Sequence, residues 1–218
     1  PGGDGKLLLL EEEGSPICAF DRDAALEEEL TALIQEGIRQ ETPRLVPLKE
    51  GQQAFVESVS APPTVFIFGG GHISLPLAKI AKMVGFRVVV VDDREHFANP
   101  TRFPEANEVY AQEFSEAFTW LSVNRSSYIV IVTRGHLHDE TVLEWAVKQP
   151  AHYVGMIGSR QKIRRLYANL ASRGVSREIL ERVHSPIGLP IHAETPEEIA
   201  ISVLAEMIQV RRKGKKKK

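Results

Sequence analysis

The sequence predicts an α/β protein: a doubly wound parallel sheet preceded by a small N-terminal α+β domain. Three observations predict it. From residue 64 onward, short and nearly continuous apolar runs alternate with stretches of helical periodicity, the pattern of a parallel sheet covered on both faces. Three consecutive glycines, Gly69 to Gly71, stand where the first apolar run meets the first helical stretch. The segment "APP" at 61–63 separates this region from a differently patterned beginning. The expected organisation is a domain over 1–62, a larger one over 63–212, and a basic, disordered tail over 213–218.

In the first part, "KLLLL", "EEEGS" and "PICAF" read as strand, turn and strand of a short hairpin. From Asp23 to about Gln40, the residues Leu26, Leu30, Leu33, Ile34 and Ile38 form one helical stripe. In the second part the expected strands are Thr64–Phe68, Phe86–Val91, Asn107–Tyr110, Tyr128–Val132 and Tyr153–Met156. Helical patterns lie between or after them, at Ile73–Val84, Ser115–Leu121, Glu140–Lys148 and Gln161–Ala171. A last helix begins after Thr195, where Pro196 and Glu198 complete a capping box, and runs to about Arg211.

With 43% hydrophobic and 26% charged residues over 218 positions, the composition is that of an ordinary globular protein. No apolar run approaches the ~20 residues of a membrane span. The start, "PGGDGK", has no secretory signal pattern, and Cys18 is the single cysteine, so a cytoplasmic location and no membrane association are expected. The net charge of -2 hides an asymmetry: "RRKGKKKK" holds seven of 27 basic residues, leaving 20 against 29 acids, about -9 elsewhere. Nucleic-acid binding needs basic residues spread over a folded face, and they are not so spread.

The glycine loop carries the chemistry. Gly69 permits a tight turn out of the strand, and Gly71 leaves room for backbone to approach a pyrophosphate. The helix that follows offers unpaired N–H groups and the positive end of its dipole to phosphate oxygens. The third position of the fingerprint is Ser74, small enough for close helix–strand packing. Asp92 ends the second strand 21 residues after Gly71, where a carboxylate receives ribose hydroxyls. These features together describe a Rossmann-like sheet that takes an NAD-like dinucleotide in preference to one with a 2′-phosphate; the alternative is a parallel-sheet turn whose glycines only permit the geometry, with Asp92 a solvated strand end.

Ligands of such sheets bind outside the carboxyl ends of the strands, so three further loops are candidates, the last of them "HSPIGLPI" (184–191). "TRGHLHDE" (133–140) carries His136, His138 and Asp139, either as ligand contacts, as a weak metal set without a clear third ligand, or with Asp139 capping the next helix. "GMIGSRQK" (155–162) places Gly158, Ser159 and Arg160 at a helix start, where N–H groups, a hydroxyl and a guanidinium suit an anion. The alternative is an ordinary N-cap serine beside a surface arginine. Cys18, between Ile17 and Ala19, reads as a small buried hydrophobe.

The segments "FIFGGGHISLPLAKIAKMVGFRVVVVDDREHFANPTRFPEA", "TRGHLHDETVL", "GMIGSRQKIRRL" and "SPIGLPIHAETPEEIAISVLAEMIQVRR", in this order, are similar to the XdhC/CoxI family. These are accessory proteins of xanthine dehydrogenase and related molybdenum hydroxylases. The resemblance covers roughly residues 64–212. It implies a role in maturation rather than turnover: binding the molybdenum cofactor (molybdopterin), aiding its sulfuration, and helping its insertion into the apo-hydroxylase. A homodimer is implied, with a cysteine desulfurase as a further partner. The implied cofactor-binding positions are Gly69, Gly70, Gly71 and His72 in the glycine loop, and Asp92 and Asp93 after the second strand. Gly135, His136 and Asp139 follow the fourth strand, and Gly158, Ser159 and Arg160 the fifth. Two other readings stand beside this one. An NAD-dependent oxidoreductase would use His136 as its base, and a nucleotide-sensing or protein-binding module would have no chemistry of its own.

Overall fold

The computed structural model describes residues 62–213 continuously and, before them, 9–10, 16–18, 28, 30–33, 43–48 and 53–57. The chain divides into two compact units, Pro1–Ser60 and Ala61–Lys218.

In the first unit, β1 (Leu9–Leu10) pairs antiparallel with β2 (Pro16–Cys18), which is the expected hairpin. A second antiparallel pair, β3 (Arg44–Pro47) with β4 (Gln53–Val56), was not expected from the sequence. Its strands are four residues each, too short for a period-2 pattern to stand out. Glu28 and residues 30–33 are helical. The rest of the expected helix over 23–40 lies outside the described residues, as do the surroundings of Cys18 and the tail beyond residue 213.

The second unit is a five-stranded parallel sheet. Its strands are β5 (Thr64–Phe68), β6 (Arg87–Asp92), β7 (Glu108–Ala111), β8 (Ser127–Ile131) and β9 (Tyr153–Met156). Their spatial order is β7-β6-β5-β8-β9, with every pair parallel. Renumbered from the first strand of the unit this is 3-2-1-4-5, the doubly wound order whose direction reverses between β5 and β8. His184 bridges Gly155 in parallel and extends the sheet beyond β9.

Why the strands read as continuous apolar runs is plain from the layers. Val65 and Ile67 of β5 face one side of the sheet, under α1 (Ser74–Met83) and α6 (Pro196–Arg212). Phe66 and Phe68 face the other, under α2 (Phe114–Ala117), α3 (Gly135–Ala146), α4 (Arg160–Ser172) and α5 (Arg177–Glu181). With helices on both faces, neither strand surface meets water. Phe68 anchors the second face, with Phe114, Phe118 and Trp145 rings at 6.0, 6.1 and 5.6 Å. The capping box of Thr195 and Glu198 opens α6 as the sequence predicts. No helix among the described residues is long and apolar enough to cross a membrane.

α6 is tied to the sheet by a polar cluster that only folding assembles. Glu206 accepts hydrogen bonds from the Tyr153 hydroxyl at 2.7 Å and the Gly188 N–H at 2.9 Å, and His184 Nδ1 lies 3.1 Å from its other oxygen. Tyr153 stacks between Tyr128 and His184, with centroids at 5.8 and 4.6 Å. Burial pushes the Glu206 carboxyl up, but the hydrogen bonds from His184, Tyr153 and Gly188 outweigh it and hold it below its ordinary 4.5. Burial and Glu206 together push the Tyr153 hydroxyl well up. A carboxyl held low in the folded state stabilises fully above its unfolded value and loses that contribution as pH falls through its folded value. The stability difference between the parent and Glu206→Gln is therefore expected to shrink as pH falls below 4.5, measured by urea unfolding at a series of acidic pH values.

Candidate functional site at the carboxyl edge of the sheet

The direction reversal puts the ends of β5 and β8 side by side, and the glycine loop lies there. The three glycines serve three different ends. Gly69 has φ of +109°, and a Cβ there would stand 2.5 Å from the Val132 carbonyl oxygen, beyond β8. Both the backbone conformation and this contact demand glycine. A Cβ on Gly70 would stand 2.4 Å from the Phe97 carbonyl oxygen, because the segment after β6 folds back over the loop. Gly71 differs: its φ is not positive, and nothing lies within 4 Å of an added Cβ. Neither conformation nor packing calls for a glycine at 71, and what remains is room for something from outside. Ser74 is fully buried and donates its hydroxyl to the Gly69 carbonyl, which closes the loop. The N-cap residue of α1, Ile73, makes no side-chain cap, and among the described residues no side chain is seen to accept from its first-turn N–H groups. His72, beside them, is exposed.

Asp92 does not stand ready for a ribose. It is 1% exposed and already accepts from the Gly70 N–H at 2.7 Å. It also accepts from the Arg94 N–H at 3.0 Å, and the Arg94 guanidinium grips both its oxygens at 2.8 and 2.9 Å. Burial raises its carboxyl, but the Arg94 guanidinium and the Gly70 and Arg94 N–H groups outweigh that and hold it below 3.8. The Arg94 guanidinium in turn lies 3.7 Å from the centre of the Phe97 ring. Asp92 thus braces the glycine loop from within. Asp93 is placed otherwise. Its side chain is 9% exposed, Arg134 Nη2 donates to Oδ2 at 2.7 Å, and Oδ1 is buried without a hydrogen-bond donor among the described residues.

The loop after β8 is shorter than the sequence suggests. α3 begins at Gly135, so His136, His138 and Asp139 lie on the helix and only Val132, Thr133 and Arg134 connect. The N-cap is Arg134, which makes no side-chain cap, and this removes the local start signal. Asp139 therefore does not cap a following helix. It is fully buried within α3, accepts from the Thr133 hydroxyl at 2.6 Å, and pairs with the Lys162 ammonium. His138 sets its ring edge-on against Phe114 at 5.4 Å. The His136 side chain lies outside the described residues. Among the described residues no three His, Cys, Asp or Glu side chains gather as a metal set.

The loop after β9 holds both predicted features and one that was missed. Ser159 caps α4, accepting from the Lys162 N–H at 3.2 Å, and Arg160 is exposed at its first turn. Lys162 is the missed residue: its side chain is 17% exposed and folds over Gly158, where an added Cβ would stand 3.1 Å from its Cδ. Asp139 and Lys162 are 23 positions apart in the chain, and nothing local marks them as partners.

Comparison with known proteins decides what this domain is. Residues 65–207 match the family model of the XdhC Rossmann domain. The chain belongs to the XdhC family. The uncharacterized protein YqeB of Escherichia coli K12 is 35% identical over 150 residues, 68% of this chain and 27% of that protein. A probable xanthine dehydrogenase subunit from Bacillus subtilis 168 is 31% identical over 159 residues, 73% of this chain and 46% of that one. The chain thus spans from about a quarter to about half of these relatives. A crystal structure described as a xanthine dehydrogenase from Bacillus halodurans superposes with a TM-score of 0.62 at 25% identity, covering 91% of this chain and 66% of that one. Within the XdhC domain, the matched region holds all four strand-end loops described above.

Proposed function

We propose that this XdhC-family chain holds a phosphorylated cofactor of nucleotide or pterin type at the carboxyl edge of its sheet, and that it serves the maturation of a xanthine dehydrogenase-type molybdenum hydroxylase. The observation that carries the binding reading is Gly71. It is a glycine that conformation and packing leave unexplained, beside a helix start without a side-chain cap. The family and the names of its relatives support the link to a xanthine dehydrogenase.

The residues fit such a cargo. Backbone at Gly71 and the start of α1 suits phosphate oxygens, since N–H groups there point at an anion and the helix dipole favours it. Arg134 stands half-exposed at the same edge, held by its pair with Asp93, whereas the Lys162 ammonium is already taken by the buried Asp139. The terminal sulfur of the molybdenum centre belongs to the cargo's own chemistry. What this chain supplies is grip, orientation and partial shielding from water. No side chain here is assigned to move a proton to or from a substrate.

The test is native mass spectrometry of the purified protein, alone and with molybdopterin, NAD and GTP. The expected result is a stable complex with molybdopterin and no turnover with NAD and candidate substrates. Sustained NAD-dependent oxidation by the isolated protein would overturn the maturation reading in favour of an oxidoreductase. The same spectra report whether the chain is a homodimer.

A further inference from the structure

We infer that Asp93 and Arg134 form a two-part latch across the glycine loop, and that the ligand opens it by taking each half. The inference rests on the proposed binding reading and names the residues that select the ligand. Asp93 follows β6 and Arg134 follows β8, and the sheet order puts β5 between these strands. Their ion pair at 2.7 Å therefore spans the strand from which the glycine loop emerges. The two residues lie 41 positions apart in the chain, so the bridge belongs to the fold and not to a local turn.

The pair is unequal. The Arg134 side chain is 55% exposed and, among the described residues, is held by its contact to Oδ2, so it can swing away at little cost. Asp93 is 9% exposed, and its Oδ1 is buried without a hydrogen-bond donor; the nearest cation, Arg94 Nε, is 3.7 Å away. A buried carboxylate oxygen left without a donor is costly, and such an atom beside a binding loop calls for a donor from elsewhere. Asp92 cannot be the selecting acid, because Gly70 and Arg94 already occupy both its oxygens. The role that strand-end position suggests for Asp92 passes to its neighbour.

The ligand chemistry follows. An anionic group draws Arg134 off Asp93, and the carboxylate then receives two neutral donors of the same ligand. Two donor pairs share this chemistry: the vicinal hydroxyls of a ribose, and the N–H and amino group of an amino-pyrimidinone edge, as in guanine or a pterin. Neither half suffices alone. A free anion takes Arg134 and leaves both Asp93 oxygens without a hydrogen-bond donor, and an uncharged nucleoside must compete with the guanidinium.

The experiment measures dissociation constants of NAD, GTP and molybdopterin for the parent, Asp93→Asn and Arg134→Gln, with inorganic pyrophosphate as competitor. Asp93→Asn is expected to weaken the bound ligand about tenfold or more and to leave pyrophosphate competition intact. Arg134→Gln is expected to weaken both ligand and pyrophosphate by a similar factor. Loss for NAD and GTP alike identifies the ribose as the donor. Loss for GTP and molybdopterin, sparing NAD, identifies the amino-pyrimidinone edge. If the parent binds one of these ligands and both variants bind it equally well, the latch is overturned while the binding reading stands. If the parent binds none of the three, the binding reading falls, and the latch with it. Should Asp93→Asn fail to fold, Arg134→Gln on the exposed partner decides the matter through its pyrophosphate competition.

Discussion

Gly69→Ala is expected to destabilise the protein by about 3 kcal/mol or more, lowering the melting temperature by roughly 6–12 °C. Two costs add. An L-residue at φ of +109° is strained, and the new methyl meets the Val132 carbonyl, a backbone atom that cannot rotate away. Gly70→Ala meets the Phe97 carbonyl at 2.4 Å but has no positive φ, so about 2 kcal/mol is expected. Gly71→Ala should stay within about 0.5 kcal/mol of the parent, since nothing stands near the added methyl and alanine restricts the unfolded chain. Its effect should fall on ligand affinity instead. Calorimetric melts of the three variants check the ranking. Equal melting of all three would mean that close backbone approach does not decide which glycines this loop needs.

The second large effect belongs to the buried pair between α3 and α4. Asp139→Leu removes the acid from an ammonium that is only 17% exposed, and Lys162→Met leaves a fully buried carboxylate with the Thr133 hydroxyl alone. Each single change is expected to cost about 3–5 kcal/mol, because a buried charge loses its partner. The double variant, Asp139→Leu with Lys162→Met, should recover much of that loss, since no charge remains to be desolvated. Urea unfolding of the four proteins gives the coupling directly. It should change little with added salt, because buried pairs are poorly screened. Additive single effects would show that Asp139 and Lys162 act independently and that the pairing carries no stability.

Much of the sheet was legible because its signals are local or periodic. β5, β6 and β8 lie under helices on both faces, so their apolar runs are unbroken, and the capping box of Thr195 and Glu198 spells its own helix start. The parts that were not legible lack such signals. α3 starts at Gly135 behind an N-cap residue whose side chain does not cap the helix, so "GHLHD" reads as loop although it packs as helix. α5 is five residues long, too short for periodicity to show.

The sequence by itself determined the order of the five parallel strands along the second unit, the class of fold and the loop proposed to grip a ligand. Each of these follows from neighbours in the chain: apolar period, glycine, cap. Tertiary structure alone decided which members of that loop are free to act. Gly70 is needed by the Phe97 carbonyl and Gly69 by the Val132 carbonyl, which leaves Gly71. Asp92 is taken up by Arg94 and Gly70, which leaves the buried oxygen of Asp93 under Arg134. Two adjacent aspartates and three adjacent glycines are alike to a reader of the chain. They differ because the partners that satisfy or crowd them include atoms from distant segments, at distances only the folded backbone sets.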